Sequence, residues 1–181
     1  MTDQLKQNAI EFLKDEFNPD LDYELKLEAS FNKHPLKESG LTELYSFDAG
    51  EKFFVFVGNV LPMVYPDFGL NTDELWAAHI GMEYFIKAGV TEDTDRKPAA
   101  LLAYLKMVGT VFQEQLYIQK PDTVKVEKVY QFQDQKHVVG KGTFDGKTYS
   151  WIVGDITHFV YKKDLPPHMT WALHMGRILL T

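Results

Sequence analysis

From Thr2 to Phe17 the apolar positions Leu5, Ala9, Phe12 and Leu13 recur every three or four residues, and Thr2 stands where it can cap the first turn. That spacing predicts an amphipathic helix, stopped by Asn18-Pro19-Asp20. The period then changes to two. Across Leu21 to Ala29, Tyr23, Leu25, Leu27 and Ala29 alternate with Asp22, Glu24, Lys26 and Glu28, as in a half-buried strand. Leu41 to Phe47 and Lys52 to Leu61 flank the Gly-bearing turn Asp48-Ala49-Gly50-Glu51 and predict a hairpin. Its second arm is apolar on both faces, which places it centrally in a sheet, and Pro62 and Pro66 end it.

Asn71 to Ala88 has the clearest helical signature: Asn71 as cap, Glu74 three residues on, and Gly89 in the terminating position. Thr91 to Lys97 reads as a charged linker, and Pro98 opens a second helix from Ala99 to about Phe112. The remainder predicts strands over Thr123 to Phe132, Lys136 to Phe144, Thr148 to Tyr161 and Thr170 to Leu180. Asp145-Gly146 marks a hairpin, and Gly154-Asp155 marks a bulge or bend within the third run. No repeat or dividing linker stands out, so residues 1–181 are expected to form one α+β domain. The expected architecture is one curved, mostly antiparallel sheet of about six or seven strands, with the N-terminal helix and the central helical pair packed against it.

Composition narrows the chemistry. With 181 residues, 45% hydrophobic and 25% charged, the chain is long enough to bury a core unaided. Cysteine is absent, which excludes disulfides, thiolate metal sites and a cysteine nucleophile and fits a reducing compartment. The N-terminus shows no basic stretch leading into an apolar core, so a cytoplasmic location is expected. The longest apolar run, around Phe53 to Val57, is far short of the roughly 18 residues a membrane span needs. Net charge is −7, and Arg96 and Arg177 are the only arginines, which disfavours nucleic acid as a partner. A small apolar ligand or a basic protein partner is easier to accommodate.

Several familiar motifs fail on spacing. In Gly140-Lys141-Gly142-Thr143-Phe144-Asp145-Gly146-Lys147-Thr148, three residues separate Gly142 from the Gly-Lys-Thr and five separate Gly140 from it, where a phosphate loop has four. None of the four serines, Ser30, Ser39, Ser46 and Ser150, lies in a nucleophile elbow. Asp93-Thr94-Asp95 starts like a calcium loop, but Pro98 occupies the glycine position.

What survives is a set of histidines and aromatics. His79 lies at the centre of an apolar helical stripe, with Leu75, Trp76, Met82, Glu83 and Ile86 within about 60° of it. With Glu83 one turn on, it forms a candidate acid–base pair or half of a metal site. The plainer reading, a core-edge histidine bonded to its neighbour, outweighs it. In the C-terminal third stand His158, His168, His174 and Arg177 among aromatic residues. If Thr170 to Leu180 is a strand, His174 and Arg177 point to opposite faces. Arg177 then holds a ligand carboxylate or pairs with an acidic residue. Aromatic residues make up 14% of the chain and line a cavity, a core or a subunit interface. The candidate ligand-binding residues are therefore Trp76, His79, Tyr130, Trp151, His174 and Arg177. No cofactor is implied. The leading expectation is a non-catalytic binding domain; an enzyme built on His79 and Glu83 and a homodimer covered by aromatics are the alternatives.

Overall fold

The structure is a computed structural model that describes residues 2–94, 97–155 and 157–181, and it divides into two compact units, Met1–Leu75 and Trp76–Thr181. The side chain of Thr2, with its expected capping role, and Asp95 and Arg96 of the charged linker lie outside the described residues.

The first unit starts with α1 (Thr2–Glu16), followed by β1 (Lys26–Phe31), β2 (Thr42–Asp48), β3 (Lys52–Gly58) and β4 (Met63–Pro66). The strands form an antiparallel meander in sequence order. The stripe read from the sequence supplies its core: α1 buries Ala9 and Leu13 against Tyr45, Phe47, Val55 and Val57. β3 is central, as its two apolar faces require. The first strand begins later than alternation suggests. Before it, the Tyr23 hydroxyl donates to the carbonyl of Asn18 at 2.6 Å and lies 3.2 Å from that of Leu13, which ties this segment to the end of α1.

The helix α2 (Thr72–Lys87) crosses the junction of the two units and is capped as its sequence predicts. The Glu74 amide donates to Asn71 Oδ1 at 2.8 Å, and the Asn71 amide donates to Glu74 Oε1 at 3.1 Å. Then follow β5 (Thr91–Glu92), α3 (Pro98–Leu116), β6 (Thr123–Phe132), β7 (Gln135–Phe144), β8 (Lys147–Gly154), β9 (His158–Tyr161) and α4 (Pro167–Leu180). β5 to β9 form a five-stranded antiparallel sheet in sequence order. One face packs on α3 through Val108, Val111 and Phe112 against Val138, Trp151 and Val153. The other packs on α4 and the later part of α2, with Trp171, Ala172 and Phe85 against Tyr130, Val139 and Ile152. Among the described residues, no helix is long and apolar enough to cross a membrane.

The sequence expectations need correcting in several places. Among the described residues there are two sheets, of four and five strands, rather than one of six or seven. Thr148 to Tyr161 is two strands, because the chain reverses after Gly154 and β9 pairs back on β8. Thr170 to Leu180 is helical. Its alternation of Trp171, Leu173 and Met175 means little where Met169 to His174 are all buried, since a helix apolar on every side is a buried helix. Pro167 in the first turn is the local signal for it.

Nor is the chain without a repeat. Helix, four-stranded meander, helix runs twice, as α1-β1-β2-β3-β4-α2 and as α3-β6-β7-β8-β9-α4. Trp76-Ala77-Ala78-His79-Ile80-Gly81 in α2 answers Trp171-Ala172-Leu173-His174-Met175-Gly176 in α4. Strand registers agree: Thr42 faces Gly58 as His137 faces Gly154, and Leu44 faces Phe56 as Val139 faces Ile152. The first strand of each meander carries one bulged residue, Glu28 and Glu127. Each of these glutamates accepts a hydrogen bond from the matching position of the next strand, Ser46 Oγ at 2.6 Å and Lys141 Nζ at 2.9 Å.

The two motif copies meet within the second unit. A Cβ at Gly81 would lie 1.8 Å from the Ala172 carbonyl oxygen, and a Cβ at Gly176 would lie 1.6 Å from that of Ala77. The contact is reciprocal, each glycine seating the other helix's alanine, so the backbones approach more closely than any side chain permits. Gly81→Ala and Gly176→Ala should each lower stability by about 1–3 kcal/mol through forced separation, despite the better helix propensity of alanine. Gly109→Ala on α3, where a Cβ would meet nothing within 4 Å, should be neutral or stabilising by up to about 1 kcal/mol. Urea midpoints of the three variants check the contrast.

Candidate functional site

His79 is fully buried on α2, with Nε2 3.4 Å from Glu83 Oε1 and its ring 6.5 Å from that of Trp76 at an interplanar angle of 21°. The Trp76, His79 and Glu83 cluster expected from helical spacing is therefore present. Among the described residues no group of three or more His, Asp or Glu side chains converges to hold a metal ion. His79 offers no surface to a substrate.

On α4, His174 and Arg177 share a side, because residues three apart on a helix are neighbours. The strand reading put them on opposite faces and is corrected here. His174 Nδ1 lies 3.1 Å from the Tyr161 hydroxyl, and Nε2 makes a short contact with Thr157 Oγ1. Burial, reinforced by the nearby His137, Arg177 and His158, pushes the pKa of His174 down to about 4. The Arg177 guanidinium sits 5.8 Å from the Phe159 ring centre and 5.7 Å from that of Tyr161. It is a cation over two aromatic rings.

A further histidine, missed by sequence reasoning, lies inside the sheet. His137 Nδ1 accepts a 3.0 Å hydrogen bond from Trp171 Nε1, which requires a neutral ring protonated on Nε2. Burial lowers its pKa, as this tautomer demands. Tyr130 joins the same aromatic group, its ring 6.4 Å from that of Trp171. Trp151 does not. It belongs to the opposite face, beneath α3, where its buried indole N–H finds no acceptor among the described residues. The six candidate ligand residues therefore fall into separate places: Trp76 with His79, His174 with Arg177, Tyr130 against Trp171, and Trp151 across the sheet. His158 and His168 are exposed.

The first unit holds a hollow that no sequence motif announces. Between α1 and the ends of β2 and β3 lies an open groove of about 470 Å³, with Leu5, Leu41, Val57 and Pro62 as apolar walls and Gln4, Asn8 and Asn59 as amides. Gln4 Nε2 donates to Asn8 Oδ1 at 2.8 Å, so these two are partly committed to each other. Asn59 Nδ2 donates to the Glu38 carbonyl at 2.8 Å, which leaves its Oδ1 as the acceptor. An apolar floor with a few oriented polar groups is the usual lining of a small-molecule site. The signal that finds it is the internal repeat, which shows what the matching place in the second unit contains.

Comparison with protein-family models, with curated proteins and with solved structures gave no match.

His174 generates a pH prediction. Its folded pKa lies below the unfolded value near 6.5, so below that pH the unfolded chain takes up a proton that the folded chain refuses. Stability is therefore full above about pH 6.5 and falls as pH drops toward 4. The loss from this residue should be about 2 kcal/mol between pH 7 and 5. Buried His137 adds in the same direction. Urea titrations at the two pH values check the slope, and His174→Gln should remove its own share.

Proposed function

We propose that this chain is a non-catalytic binding protein that holds a small apolar ligand between a helix and a sheet. The observation that carries the reading is the groove of about 470 Å³ under α1, walled by aliphatic side chains, with Asn59 in its lining and that residue's Nδ2 held by the Glu38 carbonyl. The lack of cysteine fits work in the reducing cytoplasm. An acid–base or metal role for His79 and Glu83 is not advanced, since His79 is sealed by the helix packing that buries it.

Two measurements test the reading. Native mass spectrometry of freshly purified protein should show a small adduct that is lost on denaturation. Titration of labelled protein with toluene should shift the amides of Leu41, Val57 and Gly58. Absence of any shift at the groove, together with a bare mass, would sink the proposal.

A further inference from the structure

The internal repeat places each groove residue opposite a counterpart in the second unit. Burial along the helices aligns Ala9 and Leu13 of α1 with Val108 and Phe112 of α3, which sets Leu5 against Tyr104 and Asn8 against Met107. Strand register aligns Val57, Gly58 and Asn59 with Val153, Gly154 and Asp155. Leu5 packs on the edge of its own core cluster as Tyr104 packs on the edge of its own.

At this matching place the second unit is plugged from within. Tyr104 extends from α3, and its hydroxyl donates to Asp155 Oδ1 at 2.9 Å. Leu5 has no hydroxyl to make the corresponding bond, so the first unit keeps the groove, Asn59 and the apolar walls but lacks the ring and its hydroxyl.

We propose that the groove under α1 binds a small phenol, its ring taking the place that Tyr104 fills in the second unit and its hydroxyl donating to Asn59 Oδ1. This rests on the binding reading above and names its ligand class. The acceptor favours a hydroxyl donor over a carboxylate, which would meet the carboxamide oxygen lone pair to lone pair. It is also neutral, where the second unit uses a carboxylate, and so does not call for a cation. The exposed Gln4 and Asn8 side chains belong to the groove's lining. That suits a free small molecule better than a tyrosine presented by a partner protein, whose anchor residues sit within an apolar surround.

The test titrates labelled full-length protein with p-cresol, toluene and N-acetyl-tyrosinamide, following backbone amides. p-Cresol should bind one site per chain and shift Val57, Gly58 and Asn59. Its Kd should be roughly three- to tenfold below that of toluene, the range expected for one hydrogen bond. Asn59→Leu should erase that advantage while toluene still binds. Leu5→Tyr, which installs the second unit's own plug, should abolish p-cresol binding. Tyr104→Leu, which installs the first unit's residue, should open a second p-cresol site that shifts Val153 and Gly154. Equal affinity for p-cresol and toluene at the groove would overturn the phenol while leaving an apolar binding site. Failure of both to shift the groove would overturn the binding reading itself. N-acetyl-tyrosinamide binding more than tenfold tighter than p-cresol would replace a free phenol by the tyrosine of a partner chain.

Discussion

The contact on which the second unit depends is the crossing of α2 and α4, where two glycines remove the side chains that would hold the helices apart. Gly81 rests on the Ala172 carbonyl and Gly176 on that of Ala77. At this separation the large neighbours are forced outward. Trp171 is driven into the sheet, where it meets Tyr130, Phe132 and His137, and its indole N–H finds the His137 nitrogen. Two buried histidines are kept neutral by the packing that follows, because removal from water penalises their charged forms.

The two helix–meander–helix copies show how one backbone tolerates different fillings. Beneath α1, Tyr45 stands opposite Val55; beneath α3, the matching pair is Gly140 opposite Trp151. The bulk moves from one strand to its neighbour. A Cβ at position 140 would lie 2.5 Å from the Trp151 ring and 2.0 Å from the Lys125 carbonyl oxygen, so the exchange works only with glycine there. The bulged glutamates are treated in the same way, Glu28 taken by a serine hydroxyl and Glu127 by a lysine. Against this background of compensated exchanges, the groove under α1 stands out. There the first copy has a leucine where the second has a tyrosine.

Much of the secondary structure was legible from local chemistry. The α1 stripe, the Asn71–Glu74 capping box, Pro98 in the first turn of α3 and the Asp145-Gly146 hairpin each rest on interactions within a few residues of chain, and each formed as the spacing requires. The C-terminal segment was misread because burial on all sides erases the periodicity that separates helix from strand. Its consequence was to part His174 from Arg177, which one turn of helix brings together over Phe159 and Tyr161.

The residues by themselves determined where helices and hairpins form, that cysteine chemistry is absent, and that His79 and Glu83 are partners, since one helical turn fixes that distance. They did not determine how many sheets the strands make, because an edge looks the same whichever neighbour it lacks. The repeat was present as Trp-Ala-x-His-x-Gly written twice, yet its meaning lies in strand register and helix contact, which pair residues far apart in the chain. The groove and its filled counterpart belong to that level too: only when α1 and α3 are laid on their sheets do Leu5 and Tyr104 face Asn59 and Asp155, and only then does one side chain decide between an open space and a closed one.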